Sequence, residues 1–287
     1  LLLGVLLVVF LVRILSFDLG NVAQDIAGLR PFYIGLVILC TVFNFWITAR
    51  KWETVTRRFT LLHGLRGHLF SYTALTALFA QFVPAQISVT MVRSAAMRVH
   101  ENVPVSRGVT STLYDQFYDF LIPVILLFPA VLVIVGIVGP AGGLLISAAL
   151  LVFVGVFGGR LVRAILHFGH VFHRLPYIGS RIERLRKSMV QGEYGGLMEG
   201  RFIVIMFLLT CLRYLNLVLR SWFIVLAAGY PIGLDKIIFA MPFMMLSFVI
   251  SITPGGLGIR EWGWVGVYAL LGIPAAVAGK YAVVERL

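Results

Sequence analysis

The chain has 287 residues, 60% of them hydrophobic and only 13% charged, with a formal net charge of +12. A soluble domain carries about 25% charged residues, and a mean hydropathy of +0.98 excludes that class; the chain reads as an all-α polytopic membrane protein. The positive balance fits the Arg/Lys excess of cytoplasmic loops better than a nucleic-acid footprint, so no nucleic-acid partner is expected.

The first apolar run, 1–17, reads as a membrane helix and leads into a polar loop, 18–30. A second span runs from Pro31 to about Ala49 and ends in a basic cluster of Arg50, Lys51, Arg57 and Arg58. From His68 to Met97 the chain is weakly apolar, and "QFVPAQ" interrupts it at Pro84. A long apolar segment follows from Gly108 to about Val138, and another from the "GPAGG" turn to about Leu166. Residues 167–200 are basic and amphipathic, as suits a segment lying on an anionic membrane surface. A span from Phe202 to Ala228 comes next, then two segments around "ITPGGLG", then a final helix from about Ala275. Cys40 and Cys211 lie in apolar stretches without metal-ligand spacing, so neither a disulfide framework nor a metal site is expected.

An internal repeat organises these segments. Shifted by 170 residues, Pro84 falls on Pro254, Pro104 on Pro274, Asp115 on Glu285, Ile87 on Leu257 and Val103 on Ile273. Each copy has a helix-breaking proline inside an apolar stretch, a second proline that opens the next helix, and an acid about three turns further on. The arms beside Pro84 are each shorter than a bilayer span, which predicts a re-entrant hairpin rather than one kinked helix. Three full spans separate the two breaks, so the hairpins enter from opposite faces. The expected architecture is one transmembrane domain over 1–287 with about six full spans and an inverted repeat, copy one over about 31–138 and copy two over about 202–287. The Arg/Lys residues gather in the loops of one face, which places that face and the N-terminus in the cytoplasm.

Ionisable residues inside a membrane are functional candidates by default. Asp115 and Asp119 share a helix face at i,i+4, and Arg213, Asn216 and Arg220 form a stripe in "CLRYLNLVLR". Arg93 and Arg260 each follow a proline break, Glu261 adjoins Arg260, and Glu285 with Arg286 closes the second copy. Gly255, Gly256 and Gly258 bring backbone amides to a broken helix whose restarted N-terminus favours an anion. Together these residues are expected to line a polar cleft that binds substrate, with Pro84 and Pro254 as the breaks.

The second copy, "TPGGLGIRE" followed by Gly272, Pro274 and Glu285-Arg286, resembles the lysylphosphatidylglycerol synthase transmembrane family, and the likeness spans nearly the whole chain. In the first copy Pro84, Arg93, Asp115 and Asp119 fit the family pattern. Ser88, Val89 and Thr90 stand where Gly-Gly-Asp is common, and Gln116 stands where Arg is common, which leaves Asp115 without its usual adjacent cation. The resemblance implies a flippase or transporter that moves an anionic phospholipid or lipid-linked headgroup across a bacterial inner membrane. Membrane lipids are then the partners, no cofactor is implied, and a homodimer is compatible. The chain carries no soluble aminoacyl-transferase domain, so it is not expected to synthesise an aminoacyl-lipid itself, and no convincing catalytic constellation marks it as an enzyme. Two rivals stand beside this reading. One is an integral-membrane enzyme using Asp115 and Asp119 to hold Mg²⁺, with a zinc site at His167, His170 and His173 as a weaker variant. The other is a proton- or ion-coupled small-molecule transporter.

Overall fold

The computed structural model describes residues 27–168, 199–250 and 253–286, without the side chains of 159–168 and 248–250. The expected first span, 1–17, and residues 169–198 of the basic segment lie outside these. So do His170 and His173 and the side chain of His167. The described residues form nine α-helices: α1 Pro31–Thr56, α2 Leu69–Phe79, α3 Ala85–Glu101, α4 Val105–Ile134, α5 Pro140–Phe168, α6 Gly200–Ala228, α7 Leu234–Ile250, α8 Ile259–Leu270 and α9 Ala275–Arg286. Among the described residues, α1, α4, α5 and α6 are long and apolar enough to cross a membrane. Four of the six expected spans are therefore in place. α9, the sixth, runs for 12 described residues.

Local chemistry accounts for the ends. Pro31 opens α1, where its missing N–H costs nothing. α1 does not stop at Ala49 but continues to Thr56, because Glu53 accepts from Arg50 at i−3 and Arg57 at i+4 and so ties the last two turns. Asn102 ends α3 in a left-handed conformation at φ 52°, and Gly272, its counterpart at the shift of 170, follows α8 at φ 74°. Both lead within two residues to the proline that opens the next helix. There Gly108 N–H donates to Pro104 O and Ala278 N–H to Pro274 O, again at matched positions.

Both proline breaks are true reversals. α3 returns along α2, with Ser88 Oγ bonded to Thr76 O at 2.8 Å near the turn and Leu65 N–H on Glu101 Oε1 at 2.8 Å at the open end. A single kinked helix is thereby ruled out. α8 likewise folds back on α7, bringing Gly263 against Met244 and Ser247. The two turns meet inside the molecule, where Gly255 N–H donates to Ala80 O at 2.9 Å.

α1 and α6 form the most extensive helix pair. Their contacts join Arg30 to Ala227, Cys40 to Asn216, Asn44 to Arg213 and Arg58 to Glu199. Paired numbers sum to 256 or 257 throughout, so the helices run antiparallel over their whole length. Large apolar residues such as Phe32, Leu145 and Val156 remain exposed on the outside, as hydrocarbon-facing surfaces require.

Candidate functional site

The candidate residues assemble into two clusters of ion pairs. In the first, Asp115 and Asp119 descend one face of α4. Asp115 receives Arg93 of α3 at 2.5 Å and Lys51 of α1 at 3.3 Å. Lys51 also pairs with Asp119, and Asp119 pairs in turn with Arg213 of α6. Arg93 lies 5.1 Å over the ring of Trp52, which adds a cation–π contact to a guanidinium only 3% exposed.

In the second cluster, Glu285 of α9 accepts from Arg260 of α8 at 2.8 and 3.0 Å and from Arg220 of α6. Glu261 pairs with Arg286. The neighbours Arg260 and Glu261 thus cross over to α9, each to the oppositely charged member of Glu285-Arg286. Arg286 also donates to Gly255 O at 3.1 Å, which locks the Pro254 turn to the last helix.

The clusters share a plan. In each copy the acid three turns into the last span is held by one cation from the helix after the break, Arg93 or Arg260, and one from the leading long helix, Lys51 or Arg220. The two leading cations are 169 positions apart and the two acids 170. The Arg213–Asn216–Arg220 stripe bridges the clusters: Arg213 reaches Asp119 and Asn44 at 3.4 Å, and Asn216 donates to Cys40 O at 2.8 Å. Seven residues along α6 are about 10 Å, so the stripe links the two clusters along one helix.

Two expectations change. The glycine amides of the Pro254 turn, expected to face a ligand, are engaged within the protein. Gly255 N–H is bonded to Ala80 O and Gly256 N–H to Thr253 O, both at 2.9 Å. Gly258 N–H donates to Glu261 Oε2 at 2.8 Å, so the anion at the N-terminus of α8 is the protein's own carboxylate. The glycines serve geometry, with Gly255, Gly256 and Gly258 at φ 60°, 70° and 81°, a backbone region side chains rarely adopt. Nor does Asp115 lack a partner for want of an arginine at Gln116.

Lys51 supplies that partner, and the sequence reading had placed it in a cytoplasmic loop. It is fully buried. A signal existed: Cys40, Asn44, Ile47, Lys51 and Val55 recur at spacings of four, three, four and four, one continuous helix stripe. Trp52, past Ala49, was missed for the same reason, whereas Asn44 sits inside the span as a single uncharged polar residue with nothing in sequence to mark its partner.

For a divalent cation the first cluster is unsuited. Asp115 and Asp119 are already met by Lys51, Arg93 and Arg213, whose positive field opposes Mg²⁺. Among the described residues no three His, Cys, Asp or Glu side chains gather as a metal set.

Similarity to other proteins agrees with the reading of the motifs. A UPF0104 membrane protein of Methanothermobacter thermautotrophicus is 25% identical over 195 residues, which is 64% of this chain and 58% of that protein. A second UPF0104 membrane protein, from Methanocaldococcus jannaschii, is 27% identical over 89 residues, 31% of this chain and 26% of that protein. The chain thus spans little more than half the length of one relative and about a quarter of the other. No solved structure matches it. The pattern of the lysylphosphatidylglycerol synthase TM region matches residues 1–287, and this multi-pass membrane chain belongs to that family.

Proposed function

We propose that the protein is a lipid flippase or transporter that moves an anionic phospholipid or lipid-linked headgroup along the column formed by the two clusters. The observation that carries this reading is a charge surplus. The inner cluster sets Lys51, Arg93 and Arg213 against Asp115 and Asp119. The outer sets Arg220, Arg260 and Arg286 against Glu261 and Glu285. Counted over these described residues with all carboxylates ionised, each cluster carries one more positive than negative charge, and an uncompensated charge in this setting is costly. One phosphodiester supplies the balancing charge. Arginine's planar fork suits its oxygens, and the carboxylates set the competition that lets the headgroup leave again.

The reading extends to topology. Antiparallel α1 and α6, matched turns after α3 and α8, and turns that meet at Ala80 and Gly255 support an inverted repeat with re-entrant hairpins. In such an architecture, binding sites lie at the repeat interface and are reached alternately from the two faces. The end of α1 bearing Arg50, Arg57 and Arg58 is assigned to the cytoplasm by its charge, and the N-terminus with it. A cleft of about 320 Å³ between α1 and α6, walled by Leu39, Phe43, Leu212 and Leu215 with Asn216 at its floor, opens beside the Arg213 stripe. Acyl chains can stay there in hydrocarbon while the headgroup follows the charges. The bacterial inner membrane of the initial expectation rests on the resemblance, and both relatives above are archaeal. The proposal is therefore the cytoplasmic membrane. No catalytic step is assigned.

The test is a proteoliposome assay with fluorescent phosphatidylglycerol in the inner leaflet and a membrane-impermeant quencher outside. Wild-type protein accelerates quenching of the anionic lipid over phosphatidylcholine, and Arg213→Gln and Arg260→Gln each abolish most of the gain. Unchanged translocation in both variants overturns the assignment.

A further inference from the structure

A further group of cations lies outside the column, at the end of α1 assigned to the cytoplasm. We propose that the recess between the last turns of α1 and the start of α6 binds the phosphate headgroup of an anionic phospholipid resident in the cytoplasmic leaflet. The recess is about 470 Å³ and is lined by Arg50, Glu53, Thr54, Arg57, Arg58 and Ile205. Arg50 and Thr54 are one turn apart on α1, and Arg57 and Arg58 follow in the turn that ends it. Their guanidinium groups are held by named partners. Arg50 and Arg57 bond Glu53 at 2.8 and 2.6 Å. Arg58 bonds Glu199 at 2.8 Å and lies 5.2 Å over the ring of Phe202. Arg66 approaches the same Glu53 at 3.6 Å from a neighbouring recess.

The sign of this face follows from the general Arg/Lys bias of cytoplasmic loops, but that bias needs no convergence. Here three arginines share one carboxylate that is only 8% exposed, while their own side chains are 51%, 52% and 66% exposed. Counting Arg58 and Glu199, the group carries two more positive than negative charges. Each of the three side chains is half-exposed or more and carries more N–H donors than its one bond to Glu53 uses, and arginine is suited to phosphate oxygens.

Depth selects a lipid over a soluble phosphate ester. Trp46, 42% exposed, lies one turn below Arg50, whose guanidinium covers its ring at 5.5 Å. Exposed tryptophan marks the level where hydrocarbon meets headgroups, so the recess one turn above it opens at headgroup height. A leaflet lipid reaches it with its tails still in the bilayer. The site is independent of transport through the interior.

Purified full-length chain in detergent is titrated with phosphatidate, phosphatidylcholine or glycerol 3-phosphate, and bound molecules are counted by native mass spectrometry. The readout is the fraction that depends on Arg50 and Arg57, which separates this site from lipid held in the interior. Phosphatidate is retained over phosphatidylcholine, and the double variant R50Q/R57Q lowers its affinity by about tenfold. Ile205→Trp keeps every charge but fills the recess, and it produces a similar loss. Arg98→Gln, which removes an exposed charge elsewhere on the same face, does not. Equal loss in Arg98→Gln, or full retention in both R50Q/R57Q and Ile205→Trp, overturns the site in favour of diffuse surface charge. Arginine-dependent binding of glycerol 3-phosphate without preference for phosphatidate overturns the lipid assignment.

Discussion

The inner and outer halves hold their acids by the same plan but fill the space around them in opposite ways. In the outer half Trp264, Tyr268 and Tyr281 form an aromatic triad, with ring centroids 5.0 to 5.3 Å apart. At the shift of 170 these positions are Ser94, Arg98 and Ser111. Ser94 and Ser111 are as buried as their aromatic counterparts, so the inner half closes by drawing its helices together. A Cβ placed on Gly108 of α4 would stand 2.9 Å from Ser94 Cα of α3, and Ala278 occupies the matching position in the outer half. Across this close contact Arg93 still reaches Asp115, and Trp52 of α1 covers its guanidinium where the outer half has aromatic side chains of its own. The same electrostatic requirement has two packing solutions, and the substitutions that separate them follow.

The largest expected effect comes from the acids. Asp115→Asn leaves Lys51 and Arg93 buried with less than their compensating charge, at a cost of about 3–5 kcal/mol. Glu285→Gln removes hydrogen bonds to Arg220 and Arg260, which are 24% and 17% exposed and so keep some access to polar surroundings. Its cost is about 1.5–3 kcal/mol. Unfolding by denaturant titration in mixed micelles measures both, and an outer loss equal to the inner one would erase the contrast between the halves.

Packing comes next. Gly108→Ala forces α3 and α4 apart, because the atom it meets is backbone, at a cost of about 1–3 kcal/mol. Ala278→Gly, the reciprocal exchange, costs about 0.5–1 kcal/mol through backbone entropy. Comparison of melting temperatures checks the pair, and a tolerated Gly108→Ala would show that close approach is not what excludes larger residues from the inner half.

Lys51→Met has a modest effect on stability, below about 1.5 kcal/mol, because Asp115 keeps Arg93 and Asp119 keeps Arg213. It leaves two cations for two carboxylates, with the apolar stem volume retained. The surplus charge disappears, so the variant keeps its fold while losing transport of anionic lipid in the proteoliposome assay. A folded variant with full transport would separate the charge surplus from function.

The spans, the two proline breaks and the correspondence of Pro104 with Pro274 and Asp115 with Glu285 are legible in the residues alone. Apolar length and helix-breaking chemistry act locally, and a repeat is visible as a constant offset. Arg93, Asp119, Arg213, Arg220, Arg260, Glu285 and Arg286 were legible as candidates too, because charge inside a long apolar run stands out. Lys51 was not, since a lysine at the end of a span looks the same whether it turns outward to water or inward to an acid 64 positions away.

The residues alone thus establish a helical membrane protein with many charges inside, and their constant offset of 170 points to two related copies. Which charges neutralise which was decided only by tertiary structure. Coulombic pairing depends on distances of a few ångströms between helices, and those distances are set by packing: by a glycine against a serine in one half and an aromatic triad in the other. The amides of "PGGLG" were decided in the same way. Sequence shows that they exist, but only the approach of Ala80 and the reach of Glu261 show that the protein itself already binds them.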